Sequence, residues 1–392
     1  MDSSLKMKTV HILHYTFLGC LAVMPFASIF WEESIFFIKV NWILYPIFIL
    51  GVTIFVLVRA KLNQPFIVFS IVAFFYLVLF QLRAGEMESY GRIMVSVVPF
   101  LLLPFFNEQK SATTRTFFIL YVIFLMPSFF LAYLQHTGRL PYNEFDYVDG
   151  QMIGRLSGGY SKPMNFIAFL TPLYILGIYL ILIKKKWLLG SILSVAILTL
   201  VVITGHRTSL IAFLIIVAMI FFKKAVYVFI FNYYKYYLNF IIGVLSFLFF
   251  YLLKMQNGLV DAIRGRIAMW QAHAQEFFQS DLFSMLFGKH KVRLPEYYTG
   301  NPLVVRLDEV HNNSFRTILL FGLVGYFIYC LFVRWIVLSS FQVQPDPDKR
   351  FIIFASFIYF ILYSITNEPF YYASVVWPIL VWIFLLRKDE AK

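Results

Sequence analysis

The sequence has little charge and almost no cysteine. Asp, Glu, Lys and Arg make up only 14% of its 392 residues, whereas 61% are hydrophobic and 20% aromatic. Soluble globular proteins carry about 25% charged and roughly 45–50% apolar residues, so a cytosolic enzyme or a secreted domain is excluded. The only cysteines, Cys20 and Cys330, lie inside apolar runs and give no disulfide framework. The composition predicts a polytopic membrane protein.

Long apolar runs occur along the whole chain. A bilayer-spanning helix needs about 20 apolar residues, and twelve runs are candidates for such helices. They are residues 10–30, 35–58, 65–82, 93–106, 116–134, 163–183, 187–204, 208–222, 225–253, 314–338, 351–366 and 369–386. We therefore predict an all-α polytopic membrane protein, a single integral membrane domain over residues 1–392 with about 12 transmembrane helices. The shortest runs, 93–106 and 208–222, are expected to be tilted half-spans.

The net charge of +13 is a topology signal. Lys and Arg punctuate the apolar runs instead of forming one soluble basic surface, so nucleic acid is not an expected partner. Short loops such as 184–186 and 223–224 are purely basic and are expected on the cytoplasmic side. This orientation puts both termini in the cytoplasm.

Arginine and lysine divide unequally between the two predicted sides. When Lys39 is left in its span and the other basic residues within spans are counted on the nearer side, the cytoplasmic side holds thirteen Lys and five Arg, and the exterior side four Lys and ten Arg. Arg is a permanently charged planar fork that binds phosphate through two parallel hydrogen bonds. The exterior arginines therefore predict an anionic ligand on that side. The alternative is that they pair with the exterior carboxylates.

Two exterior segments are long enough to have structure. Residues 135–162 contain Pro and several Gly and are expected to form an irregular periplasmic loop. Residues 254–313 form a large periplasmic loop that begins with a helical pattern. Its apolar stripe comprises Ile263, Ile267, Trp270, Ala274 and Phe277. We expect an amphipathic interfacial helix with Arg266 and His273 on its flank, at the depth of lipid phosphate. Alternatively, its arginines only extend to the membrane surface.

Gly205-His206-Arg207 separates two apolar runs with almost no loop between them. The run that follows is about 22 Å long as a helix, which is less than the roughly 30 Å hydrocarbon core. The tip of this hairpin is therefore expected below the outer surface, where a charge is costly and indicates function. The alternative is a structural ion pair.

The large loop ends at a second polar cluster, residues 308–316. His311 lies beside Asp308 and Glu309 at the start of a span, where a carboxylate can orient a histidine for general-base work on a hydroxyl. Asn312 and Asn313 are alternatively caps of the helix that follows. A purely structural role for His311 is also open.

The sequence lacks the common cofactor motifs. It has no Gly-rich phosphate loop, no zinc-ligand spacing and no Gly-x-Ser-x-Gly nucleophile elbow. Asp346-Pro-Asp348 has the Asp-x-Asp spacing of metal-nucleotide sites, but it lies in a predicted cytoplasmic turn and is interpreted as a loop. No cofactor and no metal are predicted.

In order along the chain, several short motifs resemble the bacterial O-antigen ligase and polymerase superfamily. The motifs are Arg155-Leu-Ser-Gly-Gly-Tyr-Ser-Lys-Pro-Met-Asn165, Thr204-Gly-His-Arg-Thr-Ser209, Gly265-Arg-Ile-Ala-Met-Trp270, His311-Asn-Asn-Ser-Phe315 and Leu320-Phe-Gly-Leu-Val-Gly325. Together they cover roughly residues 155–330. The resemblance implies a helical fold of the C-type glycosyltransferase kind and metal-independent, inverting glycosyl transfer on the periplasmic face.

The resemblance also implies partners and residue roles. The donor is an oligosaccharide linked to undecaprenyl pyrophosphate in the lipid membrane, and a chain-length regulator is an expected partner. Arg207 and Arg266 would hold the pyrophosphate, and His311 would activate the acceptor hydroxyl. Arg264 is an alternative to Arg266. Further substrate-binding residues are expected at Arg155, His206, Arg264, Glu309 and Asn312.

The resemblance leaves the acceptor open. A polymerase joins repeat units into O-antigen polysaccharide, whereas a ligase moves the glycan to lipid A-core. The loop layout and the motif that begins at Arg155 favour the polymerase. A lipid-linked oligosaccharide flippase is the alternative from another class; such transporters commonly show inverted repeats, and none is visible in this sequence.

Overall fold

A computed structural model describes a large part of the chain. The described residues are 22–23, 25–26, 29, 34–35, 38–39, 111–148, 151–160, 162–228, 261–289, 294, 310–343 and 346–367. The predicted spans 65–82, 93–106 and 369–386, most of 10–30, 35–58 and 225–253, and the predicted site residue Glu309 lie outside them. The described residues 35, 38 and 39, at the start of the predicted span 35–58, lie in strands and not in a helix.

The described part is mostly helical. Its helices are α1 (Ser111–His136), α2 (Pro163–Leu182), α3 (Trp187–Ile203), α4 (Arg207–Phe221), α5 (Asp261–Phe278), α6 (Leu282–Phe287), α7 (Asn313–Val343) and α8 (Pro347–Thr366). Its strands form two antiparallel pairs, β1 (Ser34–Ile35) with β2 (Ile38–Lys39) and β3 (Glu144–Val148) with β4 (Gln151–Arg155).

Three of these helices are long and apolar enough to cross a bilayer. The stretches that meet both conditions are Phe118–His136, Pro163–Leu182 and Asn313–Leu331. The shorter apolar helices α3 and α4 adjoin at residues 204–206, as the sequence predicted for this hairpin. Helix α4 has 15 residues, so it spans only about 22 Å.

Helix α2 lies at the centre of the described bundle and is almost wholly buried. Small residues allow α3 to pack closely on it: a Cβ on Gly190 would lie 2.6 Å from the carbonyl oxygen of Gly177. On another side of α2, the buried Tyr359 hydroxyl of α8 lies 2.9 Å from Ser209 Oγ of α4 and 3.1 Å from Thr171 Oγ1 of α2. These contacts fix α4 and α8 against α2.

Polar side chains define where α7 and α8 begin. Asn312 Oδ1 accepts a hydrogen bond from the Phe315 amide at 2.8 Å and caps α7, as its alternative interpretation from sequence predicted. Asp346 Oδ1 accepts from the Asp348 amide at 2.8 Å and caps α8, with Pro347 as the first helical residue. The Asp-x-Asp spacing at 346–348 is thus that of a helix start.

The loop expected at 135–162 is more regular than its composition indicated. It contains the hairpin β3–β4, in which Glu144 is in register opposite Arg155 and Val148 opposite Gln151. The two residues between the strands are Asp149 and Gly150. Asp-Gly flanked by alternating apolar residues is a strong hairpin signal, so the irregular loop was a wrong expectation that the sequence itself contradicted.

Helix α7 is interrupted at Gly322, whose φ of 69° and ψ of −172° are not helical. The break lies against the end of α6, where Gly288 has a φ of 86°. A Cβ on Gly322 would meet the main chain of α6, 2.3 Å from the Leu286 carbonyl oxygen. The Lys289 amide donates to the Leu319 carbonyl at 3.0 Å, which satisfies a group that the break removes from the helix ladder.

Helix α5 is present where the sequence predicted an amphipathic helix. Within its predicted apolar stripe, Trp270, Ala274 and Phe277 are buried in the protein core. His273, expected on the flank at the water–lipid boundary, is also buried and meets the Phe315 ring edge-on at a centroid distance of 6.4 Å. This face of α5 therefore packs on protein, because α6 and α7 adjoin it.

Candidate functional site

The turn between α3 and α4 forms the centre of the candidate site. Thr204 caps α3, and Gly205 takes a left-handed conformation with φ of 67°. Such a φ is unfavourable for any residue with a Cβ, which explains glycine here. A Cβ at this position would lie 3.9 Å from Arg155 Nε. The tight turn brings the main chain of α3 close to the end of β4.

His206 is buried in this turn and acts as the N-cap of α4. Its Nδ1 accepts a hydrogen bond from the Ser209 amide at 3.3 Å, so the neutral ring carries its proton on Nε2. Its ring stacks on Tyr363 and hydrogen bonds with the Asn367 side chain. Burial, then the positive charges of Arg155 and Arg266, lower the pKa of His206 to about 3. It is a neutral group at physiological pH.

Arg155 closes one side of the turn from the last position of β4. Its Nε donates to the Thr204 carbonyl at 3.2 Å, and its side chain is half-buried. The residues that follow are held by the buried Gln135, whose Oε1 accepts from the amides of Ser157 at 3.0 Å and Gly158 at 3.1 Å. These two hydrogen bonds fix the position at which β4 ends and therefore the position of Arg155.

Arg207 lies on the open side of a cavity of about 290 Å³. The described residues that line it are Gly154, Arg155, Val201, Val202, Ile203, Thr204, Gly205, His206, Arg207 and Leu210. Within this lining there are two arginines and no carboxylate. Arg207 is exposed and makes no ion pair with a described residue. The lining therefore carries net positive charge, and the residues that α3 and α4 contribute to it are mostly apolar.

Arg266 approaches the same turn from α5. Its side chain is half-buried, and its charge is close enough to contribute to the lowered pKa of His206. Arg264 lies on the same helix, and its side chain is outside the described part. Of the two loop arginines, Arg266 is thus the one with an observed electrostatic link to the cavity. It is not among the described residues that line the cavity.

His311 lies just before α7 with a left-handed φ of 51°, which is uncommon for a residue with a Cβ. The Trp270 ring N–H donates to the carbonyl of the preceding Val310 at 2.6 Å. Trp270 is one helical turn after Arg266 on α5, so the same helix carries the arginine and supports the backbone at His311. His311 is half-buried and is not among the described residues that line the cavity.

Asn312 links this segment to the end of α8. Its Nδ2 donates to the Ile365 carbonyl at 3.0 Å, while its Oδ1 caps α7, so the structure explains the residue without a ligand. Asn367, two residues further along α8, contacts His206. The structure therefore brings Arg155, His206, Arg207, Arg266 and His311 to one end of the bundle.

Sequence reasoning missed several residues that build this end. Gln135, Tyr363 and Asn367 hold the turn and the hairpin, yet no local motif marks them. Asn367 has one weak signal, because it is a polar residue directly after an apolar run. Their roles depend on contacts between segments far apart in the sequence.

Comparison with protein families and with curated proteins gives no assignment for this site. Within the described residues, no group of three His, Cys, Asp or Glu side chains is arranged to hold a metal ion. No protein-family profile matches the chain, and comparison with curated proteins finds no match.

Proposed function

We propose that the chain is a glycosyltransferase of the bacterial inner membrane, with many spans and both termini in the cytoplasm. It polymerises O-antigen repeat units carried on undecaprenyl pyrophosphate. The observation that carries the proposal is the convergence of Arg155 and Arg207 on one cavity, with Arg266 close enough to act electrostatically on His206. The arginines come from β4, α4 and α5, so the tertiary fold concentrates positive charge at the turn between α3 and α4.

A diphosphate suits this cavity chemically. Guanidinium groups bind phosphate oxygens through charge-assisted, bidentate hydrogen bonds. The volume of about 290 Å³ is near the lower end of the range for small-molecule sites, which is room for a diphosphate and part of a sugar. The apolar wall formed by α3 and α4 is suited to the first part of the lipid chain.

In the proposed step, an acceptor sugar hydroxyl attacks the anomeric carbon of the donor. The new carbon–oxygen bond forms as the bond to the pyrophosphate oxygen breaks, and the electron pair leaves with the pyrophosphate. Arg155, Arg207 and Arg266 stabilise the charge that develops there. His311 takes the hydroxyl proton as general base. His206 stays neutral and fixes the turn.

The proposal is tested with purified protein and a synthetic undecaprenyl-pyrophosphate repeat unit, without added metal. We expect a ladder of longer glycans. Loss of one transition-state donor typically reduces the rate about 10²–10³-fold, so Arg207→Ala and Arg266→Ala are each expected to do so. His311→Ala is expected to abolish the ladder. Arg139→Ala is the matched control, because Arg139 is exposed in the loop after α1 and outside the cavity.

The outcomes separate the alternatives. A product that forms only when lipid A-core is added would favour the ligase. Movement of labelled lipid across vesicles without a new glycosidic bond would favour a flippase. An unchanged ladder in the His311 variant would remove this residue as the base.

A further inference from the structure

The end of the bundle opposite the cavity is rich in lysine. Here α2 ends, α3 begins, α4 ends and α8 begins, and we call this surface the lysine-rich end (Lys184, Lys185, Lys186, Lys223 and Lys224). Helix α8 runs from this end to the candidate site over 20 residues, which is about 30 Å. The two ends are therefore separated by roughly the thickness of a bilayer core.

Asp348 organises the lysine-rich end. Lys223 Nζ lies 2.6 Å from its Oδ1, Lys185 Nζ lies 3.9 Å from its Oδ2, and the Tyr227 hydroxyl donates to Oδ1. Burial favours the neutral carboxyl, but the hydrogen bonds from Lys223 and Tyr227 outweigh it and lower the pKa of Asp348. One carboxylate thus gathers lysines from two loops, while most of the positive charge remains exposed.

Lys185 occupies a backbone position that favours glycine. Its φ is 54°, and the Lys186 amide closes the end of α2 by donating to the Leu180 carbonyl at 2.9 Å. A left-handed residue just after a helix is most often glycine, because glycine has no Cβ to cause strain. A lysine here is conformationally unfavourable, so its charge is the property that accounts for it.

Exposed aromatic side chains lie next to these lysines. Trp187 is 59% exposed directly after Lys186, and Phe221 and Phe222 are 82% and 68% exposed directly before Lys223. Trp at the ends of membrane helices marks the interface between lipid and water, and the exposed Phe rings form an apolar surface suited to contact with lipid. The lysines therefore lie at the depth of lipid headgroups. A soluble anion would not account for the exposed aromatic rings.

We propose that the lysine-rich end binds the headgroup of an anionic phospholipid, with Lys185 and Lys223 held together by Asp348 and with Lys184 and Lys224 completing the site. This inference is independent of the proposed enzymatic activity. Such a site differs from diffuse attraction of lysines to a negative membrane, because lipid binding here requires the arrangement of lysines that the negatively charged Asp348 creates.

The test is native mass spectrometry of the full-length protein in detergent, titrated with phosphatidylglycerol or phosphatidylcholine. We expect preferential retention of phosphatidylglycerol. A lysine near a negative membrane surface contributes enough for about a fivefold change in affinity. Lys185→Gly should therefore weaken binding about fivefold, while the thermal midpoint stays equal or rises because glycine relieves the backbone.

Asp348→Asn decides between an organised site and diffuse attraction, because the two predict opposite signs. It adds one net positive charge, so diffuse attraction predicts tighter binding, whereas an organised site predicts binding at least about fivefold weaker. Arg139→Gln, at the other end of the bundle, should leave binding unchanged.

Several results would overturn the proposal. They are equal or tighter binding by Asp348→Asn, equal retention of the two lipids, and displacement of phosphatidylglycerol by inorganic phosphate. If Asp348→Asn does not fold, two other variants test the proposal. One is Lys185→Gly, and the other combines Lys184→Gln with Lys224→Gln. Unchanged affinity in both would then reject the site.

Discussion

Replacing Gly322 with alanine tests whether the break in α7 is specified by its contact with α6. The φ of 69° and ψ of −172° belong to a region that only glycine readily occupies. The added Cβ would also lie 2.3 Å from the Leu286 carbonyl oxygen and 2.5 Å from the Phe287 amide nitrogen. Both are main-chain atoms, so no side-chain rotation relieves the overlap.

The expected cost has two parts. Forcing a residue with a Cβ into this conformation costs about 1–3 kcal/mol, and overpacking a tight contact costs about another 1–3 kcal/mol. Gly322→Ala should therefore lower the free energy of unfolding by about 2–6 kcal/mol. Since folded domains have roughly 5–15 kcal/mol in total, this is a large loss. It would also displace the segment of α7 that adjoins His311.

The measurement is unfolding in mixed micelles by titration with a denaturing detergent. Gly138→Ala is the matched control, because Gly138 has a similar φ of 72° but nothing within 4 Å of its added Cβ. It should show only the conformational part, about 1–3 kcal/mol. The reasoning is refuted if Gly322→Ala is no more destabilising than Gly138→Ala.

Three further predictions concern the candidate site. In the unfolded chain His206 is protonated near pH 6.5, whereas in the folded protein it is protonated only near pH 3. The contribution of neutral His206 to the free energy of unfolding should therefore be fully present above pH 6.5. It should then fall by up to about 1.4 kcal/mol per pH unit on acidification, and detergent-induced unfolding of His206→Asn should show a flatter dependence. Tyr359→Phe removes the described buried partner of Ser209 Oγ, whereas Thr171 Oγ1 keeps its hydrogen bond to the Ile167 carbonyl, so the same assay should report a loss of about 1–3 kcal/mol. Trp270→Phe removes the ring N–H that holds the segment before α7, and the polymerisation rate should fall roughly tenfold; an unchanged rate would contradict this support.

Part of the fold could be predicted because membrane solvation acts locally. Each apolar run must satisfy its own backbone hydrogen bonds in lipid, so the helices at 163–182, 187–203 and 207–221 follow from hydropathy alone. The short α3–α4 turn was predictable for the same reason. The hairpin at 144–155 was also readable, from Asp149-Gly150, although composition pointed to an irregular loop.

The candidate site was only partly predictable. In the predicted topology, arginine exceeds lysine on the exterior side, which predicted an anionic ligand, and the motifs singled out Arg207, Arg266 and His311. Nothing local showed that Arg155 would bond to the Thr204 carbonyl or that Asn367 would contact His206. Those contacts join residues 49 and 161 positions apart, and their geometry depends on how helices pack.

The sequence by itself determined the low charge and the apolar helices, because these depend on side-chain chemistry and on short-range periodicity. Only the tertiary structure decided which charges meet. Because the chain has few charged residues, each charged contact is informative. Arg155 and Arg207 line one cavity because β4 ends where α4 begins. Asp348 forms ion pairs with Lys185 and Lys223 because α8 begins where α2 and α4 end. Charged residues that are far apart in the sequence act together only where the packing of helices and strands brings them close in space.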